Sequence, residues 1–453
     1  MAVSYIRFFR LKVKNKIFGT DGIRGPYGTE GMNEDLAYSL GFSIGKYLEE
    51  EGFNSETILL GRDPRESGES LQKACAAGIH QFGHQPLNAG IVPTPALAFG
   101  VKSLGCKMGV MVTASHNPEA DNGLKLFSSA GAKLSIEEES RIENFLRLNR
   151  QVQSDSVDMI SVKIKDDYKN NLCGFFPDDV LEGKRIVLDA ANGATSVTSP
   201  AVLTALGAEV ISIHNGDGVI NSCCGSEAPN SLQEKVVDMK ADLGIAHDGD
   251  GDRVVFVDSS GKLIDGDKIL GLLALLADKK NNLKQKGFVA TVHSNSGLAA
   301  SLCSIGIKLH RAQVGDRNVA NVMEATGCNW GGESSGHVVA HDYLPTGDGL
   351  FTALCIASEV GPSQASLHNL TDWVELWPCR SDSFKVKEKI PLVNCSEIQN
   401  ALEKAEHDLA DNGRVLLRYS GTEPKIRLLV EARNENLADE IFTYIVNIIQ
   451  ITL

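Results

Sequence analysis

Nowhere do the 453 residues approach the roughly 20 consecutive apolar residues that a bilayer crossing needs, so the sequence offers no membrane span. Positive charge is also scarce: 44 Lys and Arg stand against 58 Asp and Glu, a formal net charge of −14. That balance argues against broad binding to nucleic acid or anionic membranes, and an anionic substrate must meet a local positive pocket. The ten cysteines include no CxxC pair and no His-rich zinc spacing, and they read as reduced, mostly buried thiols of a cytoplasmic protein. Low-complexity segments, coiled-coil heptads and short-period repeats are missing too. At the start, residues 1–16 carry Arg7, Arg10, Lys12, Lys14 and Lys16 around Ile6, Phe8, Phe9 and Leu11 without the unbroken apolar core of a secretion signal. This stub reads as an extra tail or first strand, with organelle targeting or membrane contact as the alternative.

What is present is an ordinary globular composition, 42% hydrophobic and 23% charged, in a chain long enough for roughly three or four domains. Apolar β-branched runs at 57–60, 108–112, 185–188, 209–213, 243–246, 254–257 and 288–292 read as buried strands. They alternate with helical periodicity at 32–50, 71–82, 136–148, 232–239 and 269–276. Such alternation predicts α/β layers with mostly parallel sheets, and the repeated strand-then-polar-loop pattern suggests duplicated domains. Breaks in the polar stretch 149–158, at the turn 259–261 and at 373–378 divide the chain into 1–160, 161–258, 259–375 and 376–453. The last part reads as a strand at 383–386, a helix at 398–409, a hairpin of 413–417 with 426–430, and a closing helix.

Four segments carry chemistry. Thr113-Ala114-Ser115-His116-Asn117-Pro118 follows the strand at 108–112, which puts Ser115 beyond a strand's carboxyl end, where α/β sheets hold ligands. Its small neighbours leave the hydroxyl open to a phosphate, although a serine that merely caps a turn would look the same. Asp248, Asp250 and Asp252, separated by glycines, supply hard oxygen ligands suited to Mg2+. An EF-hand loop would need Gly where Arg253 stands and an acid where Ser259 stands. A solvated acidic turn is the bland alternative.

Gly331-Gly332-Glu333-Ser334-Ser335-Gly336-His337 contains the G-x-S-x-G of a serine-hydrolase elbow around Ser334, with His368 downstream. The preceding 325–330 is short and turn-rich, whereas an elbow needs a clear strand. As a polar loop, the same segment offers Glu333 and Ser335 to sugar hydroxyls and His337 to proton transfer. His337 and His341 are spaced like a zinc pair, without the Glu of HExxH. Near the end, Arg418-Tyr419-Ser420-Gly421-Thr422 with Arg427 combines arginine forks and exposed amides, a cradle for phosphate unless it is only a charged hairpin. Arg24 and Lys125 add isolated cations.

Taken together, FGTDGIRG, TASHNP, DNGLK, DGDGDR, GGESSGH and RYSGTEPKIR, in that order, resemble the α-D-phosphohexomutase superfamily and more closely its bacterial phosphoglucosamine mutase branch. GRDPR at 61–65, VPTPA at 92–96, CGS at 224–226 and VGDR at 314–317 look like the same branch. The resemblance covers nearly the whole chain after about Ile17. It implies three related α/β domains and a smaller C-terminal α+β domain around a central cleft. It further implies a phosphoserine at Ser115, Mg2+ held by Ser115, Asp248, Asp250 and Asp252, and sugar contacts from Glu333 and Ser335. Arg418, Ser420, Gly421, Thr422 and Arg427 would hold the non-reacting phosphate. Lys125 and His337 would be the acid/base candidates, with Arg24, His116 and Arg253 assisting. The expected reaction interconverts glucosamine 6-phosphate and glucosamine 1-phosphate through a bisphosphorylated sugar, with a hexose 1,6-bisphosphate as activator, and supplies UDP-N-acetylglucosamine and cell-wall precursors. A phosphosugar is the expected partner, neither nucleic acid nor membrane is implied, and homodimer formation is left open. Departures are Ser334, where glucose- and mannose-handling relatives typically show Met, Ala312 in place of a common Thr, and the stub 1–16.

Overall fold

The computed structural model describes residues 17–19, 21–148, 157–361, 365–420 and 424–452. The stub 1–16, most of the break at 149–158, and Gly421 and Thr422 therefore lie outside the described residues.

Five of the seven apolar β-branched runs become inner strands of three sheets. Those at 209–213 and 254–257 become the two edges of the second, and Glu209–Ile213, expected as a buried strand, has no buried residue because it lacks a neighbour on one side. The first sheet is ordered Ile23–Pro26, Asp121–Ser128, Met108–Val112, Thr57–Arg62, Gln85–Ile91, Ile160–Ser161. The second runs Val254–Asp258, Leu243–His247, Arg185–Asp189, Glu209–Ile213, and the third Lys308–Ala312, Gly287–Thr291, Trp330–Gly332, Val338–Ala340. Central pairings are parallel, which suits strands such as Met108–Val112 and Leu243–His247 whose every residue is buried. Yet each sheet ends in antiparallel strands, so the sheets are mixed rather than mostly parallel throughout.

That rim sets the geometry of everything else. In all three sheets a strand paired in parallel on one side turns through a short polar loop into an antiparallel neighbour. The loops are 113–120, 248–253 and 333–337. They are the segments that hold Ser115, the three aspartates, and Glu333 with Ser335 and His337. A polar loop at the carboxyl end of a buried strand is where open α/β sheets bind ligands.

The fourth sheet is wholly antiparallel, ordered Cys379–Lys385, Lys425–Ala432, Gly413–Tyr419. Helices Ser396–Leu409 and Glu435–Thr452 cover it with a core of their own, including Leu428, Val430, Ile441 and Ile445. In contrast, one apolar cluster runs continuously from Leu59 and Leu97 through Leu188 and Phe256 to Leu354 and Val374, and so ties the three mixed sheets together. The fourth unit meets the third through polar bonds: Ser296 donates from Oγ to Glu431 at 2.6 Å, and Arg414 Nη2 donates to the carbonyl of Ser294 at 2.8 Å.

The sequence reading of the cysteines needs correction. All ten are free thiols, but only five are buried, while Cys223, Cys303 and Cys379 are exposed. No helix among the described residues is long and apolar enough to cross a membrane.

Candidate active site

Ser115 owes its position to an unusual backbone. Its φ is 55°, a left-handed value that a non-glycine residue adopts only when its surroundings impose it. Arg65 imposes it here. That buried guanidinium donates to the carbonyls of Ser115 at 3.0 Å, Asn117 at 2.8 Å and Asp121 at 2.9 Å, and also to Pro118, while Asp63 pairs with its Nε at 3.0 Å. Thr113 Oγ1 accepts from the Ser115 amide at 2.9 Å and donates to Asp63 at 2.7 Å, which closes the loop from inside. Asn221, from the second unit, donates to the same Ser115 and Asn117 carbonyls at 2.8 and 3.0 Å.

The expected open hydroxyl is not what the structure shows. Ser115 is only 1% exposed, because the aspartate loop lies directly on it. Its Oγ donates to Asp248 Oδ2 at 2.6 Å, and a Cβ on Gly249 would come within 2.8 Å of the Ser115 carbonyl. The capping alternative falls with the same observation, since this hydroxyl faces a carboxylate instead of a helix end.

Replacing Arg65 with Ala should destabilise the protein by about 3 kcal/mol or more, because a buried charge network loses its centre. Lys in its place should rescue little, since one ammonium cannot reproduce a planar fork aimed at several carbonyls. Urea unfolding of both variants checks this; a loss below about 1 kcal/mol, the scale of a single neutral hydrogen bond, would contradict the clamp.

Asp248, Asp250 and Asp252 converge as the sequence predicts, with one carboxylate oxygen from each within 4.8 Å of the others. All three are buried. Gly251 makes the tight wrap feasible: its φ is 74°, and a Cβ there would lie 2.3 Å from Thr195 Cγ2. Asp248 Oδ1 accepts from the amides of Gly251 and Arg253 at 3.1 and 3.2 Å. Thr94 donates to Asp250 at 2.6 Å.

Lys125 lies beneath, 1% exposed, with Nζ 2.8 Å from both Asp250 and Asp252 and 3.2 Å from Asp21. Burial works against its charge, but Asp21, Asp250 and Asp252 outweigh that and hold the ammonium well above its usual range. Burial likewise opposes ionisation of Asp252, yet Lys125 and then His337 bring it down to about 2. Asp248 moves the other way, pushed well up by burial and by Asp250 and Asp252 beside it.

One lysine thus faces more negative charge than it can balance. The Oδ1 atoms of Asp250 and Asp252 are buried without a hydrogen-bond partner among the described residues. Orphaned hard oxygens beside a serine hydroxyl fit a small divalent cation such as Mg2+, which takes oxygen ligands and leaves positions for phosphate.

A cleft of about 480 Å³ opens over this cluster, lined by Arg24, Ser115, His116, Asp252, Arg253, Glu333, Ser335 and His337. Eight of the sixteen site residues expected from sequence meet there, with Lys125, Asp248 and Asp250 buried beneath it. Arg24 donates to the Ala114 carbonyl at 3.3 Å and pairs with Asp21, while His116 Nδ1 stands 3.4 Å from Ser115 Oγ. Burial and then Arg253 keep the His116 imidazole below its usual range. Arg253 pairs with Glu227 at 3.1 Å. Glu333 is anchored by the Gly315 amide at 2.9 Å, and Ser335 is exposed. His337 is buried with neither ring nitrogen hydrogen-bonded to a described residue, and its Nε2 stands 3.7 Å from Asp316.

Two readings of this loop are settled by its surroundings. A strand, Trp330–Gly332, does precede it, contrary to the turn-rich reading of 325–330, but the chain then returns as the antiparallel strand Val338–Ala340, not as the helix an elbow needs. The same strand separates His337 from the exposed His341, so no helix presents them to one zinc ion.

Arg418 and Arg427 face each other across paired strands and line a separate cavity of about 370 Å³ with His293, whose Nε2 is 2.5 Å from Arg418. Burial and then Arg418, Arg414 and Arg427 keep His293 below its usual range. Crowded cations of this kind form an anion receptacle. Ser420 is buried at the strand end, its amide donating to the Lys425 carbonyl at 2.8 Å and its carbonyl accepting from Lys389 at 2.7 Å.

Models of four domains described as phosphoglucomutase/phosphomannomutase match the chain in order: α/β/α domain I over 15–153, domain II over 169–261, domain III over 265–377, and the C-terminal domain over 383–448. The chain belongs to the phosphoglucomutase/phosphomannomutase family. A curated relative, the phosphoglucosamine mutase of Nautilia profundicola, is 41% identical over 433 residues, which cover 94% of this chain and 97% of that one. The chain is accordingly an enzyme of the isomerase class, a phosphohexomutase. In fold it is similar to a phosphoglucomutase/phosphomannomutase family protein from Burkholderia thailandensis, with a TM-score of 0.80 at 24% identity, covering 96% of this chain and 97% of that one. The N-acetylphosphoglucosamine mutase of Aspergillus fumigatus, solved in complex with GlcNAc-6P and magnesium, shares the fold at a TM-score of 0.63 and 17% identity, with 97% and 96% covered.

Three contributors escaped the sequence reading. Arg65 stood inside a quoted motif without a role, and Asp21 likewise. Asn221 had no signal at all, since its partners are backbone carbonyls over a hundred residues away.

Proposed function

We propose that this enzyme interconverts glucosamine 6-phosphate and glucosamine 1-phosphate, with the transferable phosphate carried on Ser115. The observation that carries the reading is Ser115 Oγ held 2.6 Å from Asp248 inside the three-aspartate cluster, at the foot of the cleft. In the forward step a sugar hydroxyl attacks the phosphorus on Ser115. The serine oxygen–phosphorus bond breaks as the sugar oxygen–phosphorus bond forms, and the hydroxyl proton passes to a base. The resulting bisphosphate turns over and returns its other phosphate to Ser115.

In this reading Ser115, Asp248, Asp250 and Asp252 would hold Mg2+, which when bound supplies charge neutralisation for the transferring phosphoryl oxygens. Lys125 contributes a buried positive charge beneath the aspartates and is one acid/base candidate. His337, a cleft-lining residue whose ring nitrogens have no hydrogen-bond partner among the described residues, is the other acid/base candidate. Arg24, His116 and Arg253 surround the reacting phosphate. Glu333 and Ser335 face the sugar.

Arg418, Ser420, Gly421, Thr422 and Arg427 receive the non-reacting phosphate on the fourth domain. The division at 1–160, 161–258, 259–375 and 376–453 then gives each domain one working loop, with closure of the fourth excluding water. A hexose 1,6-bisphosphate primes the serine. Ten unpaired cysteines support a cytoplasmic setting, where the product would feed UDP-N-acetylglucosamine and cell-wall precursors.

The sugar itself rests on the named relatives and on Ser334, and a phosphoglucomutase or phosphomannomutase is the second reading. After priming with a hexose bisphosphate, kcat/KM for glucosamine 6-phosphate should exceed that for glucose or mannose 6-phosphate by about tenfold or more, the scale of one well-placed polar contact. Equal or better turnover of mannose 6-phosphate would overturn the assignment while leaving the chemistry intact.

A further inference from the structure

Asp189, His214 and Cys224 follow no zinc spacing in the sequence, and the phosphoryl-transfer reading uses none of them. The fold nevertheless gathers one ligating atom from each, a carboxylate oxygen, an imidazole nitrogen and a sulfur, all within 4.8 Å of one another. Sheet register explains how. Asp189 is the last residue of the strand Arg185–Asp189, and His214 directly follows the adjacent parallel strand Glu209–Ile213, so both arrive at the same sheet edge. Cys224 returns to that edge on the loop before helix Asn230–Asp238.

The cluster is anchored as ligand sets are. Asp189 Oδ1 accepts from the Ala191 amide at 2.8 Å, and Oδ2 accepts from the Gly225 amide at 2.9 Å while facing His214 Nδ1 at 3.0 Å. Such outer hydrogen bonds fix a ligating carboxylate in orientation. Cys224 is 1% exposed, with Asn192 Nδ2 3.9 Å from its sulfur. The His214 side chain is 31% exposed and leaves an open side for an ion and its water.

Hydrogen bonding accounts for Asp189 and His214 but not for a thiol placed against them. Mixed oxygen, nitrogen and sulfur donors suit Zn2+, whereas Mg2+ demands oxygen.

We propose that Asp189, His214 and Cys224 form a second metal site, for Zn2+ or an ion of like preference, with water as the fourth ligand. On binding, a metal–sulfur bond forms, the thiol proton leaves to solvent, and neither oxidant nor reductant takes part. The site reaches the catalytic loops through its own segment. Asn221 braces the Ser115 and Asn117 carbonyls, and the Ser226 amide donates at 2.9 Å to the carbonyl of His247, next to Asp248. Occupancy therefore stiffens the brace under the serine loop.

Cobalt titration of the full-length, chelator-treated protein in excess Mg2+ tests it. One equivalent of Co2+ should raise a thiolate-to-cobalt charge-transfer band that Zn2+ abolishes by displacement. The band should vanish in Cys224→Ser, survive in Cys223→Ser, and require about tenfold or more Co2+ in His214→Ala. Absence of a thiolate band in the wild type, or its survival in Cys224→Ser, overturns the proposal. Should Cys224→Ser misfold by circular dichroism, melting curves decide: Zn2+ raises the wild-type midpoint but not that of His214→Ala, and an equal rise in both overturns the site.

Discussion

Ser115→Ala is expected to lower mutase turnover by at least about 10⁴-fold, the scale seen when a covalent nucleophile is removed. The loss has no bypass. Without Oγ there is no phosphate carrier, and a sugar phosphate in the cleft would have to exchange its group with water or a second sugar. The fold should survive, because Arg65 and Asn221 hold the loop through its carbonyls and Thr113 holds its amide, none of which involves the serine side chain. The bond to Asp248 and the longer contact with His116 are lost, together worth about 1–2 kcal/mol in stability. Ser334→Ala, by contrast, should retain most of the activity. Steady-state kinetics of both variants, with circular dichroism to confirm folding, separate a phosphoserine mutase from a hydrolase built on Ser334; the reverse pattern would reject the mutase chemistry.

Asp250→Asn should have the second-largest effect, about 10³-fold in kcat, comparable to loss of a main electrostatic contributor to a transition state. Its stability signature is more diagnostic. In wild type, Asp250 contributes one of the two carboxylate oxygens of the aspartate cluster that are buried without a hydrogen-bond partner among the described residues, so a bound cation should raise the melting temperature. The amide removes a negative charge from a crowded cluster while Lys125 keeps Asp252 and Asp21 as partners, so the metal-free variant should melt close to the metal-free wild type. Added Mg2+ should then stabilise wild type and leave the variant nearly unchanged. An equal Mg2+-induced rise in both would show that Asp250 is not a ligand.

Local pattern reveals the strands and helices of the three α/β units because inner strands such as Met108–Val112 are buried on both faces and the periodicity is strong, while the edge strand Glu209–Ile213 is legible from its β-branched residues alone. Met108–Val112, Glu209–Ile213 and Ile136–Leu148 fall where the sequence places them, and most other boundaries shift by a residue or a few. Trp330–Gly332 was hidden because two of its three residues are glycine, a poor strand former; parallel pairing to Gly287–Thr291 and antiparallel pairing to Val338–Ala340 override that preference.

Ser115 and the aspartates were legible because each sits just past a buried strand and carries its chemistry in its own side chain. The left-handed backbone of Ser115 was not, since its cause is Arg65 bonding to carbonyls, and carbonyls leave no mark in sequence. Lys125 illustrates the same limit. As one cation in DNGLK it resembled a surface lysine, and only the pairing of Asp121–Ser128 with Met108–Val112, together with the packing of the aspartate loop against it, turns it into a buried partner of three carboxylates.

The central claim, that Ser115 is the phosphate carrier, is tested most directly by mapping phosphate on the enzyme after incubation with a hexose 1,6-bisphosphate and Mg2+. Peptide mass spectrometry should place a single phosphate on Ser115, and glucosamine 6-phosphate should discharge it into sugar bisphosphate. Phosphate found on another residue, or an enzyme that turns over substrate with Ser115 unmodified throughout, would contradict the account.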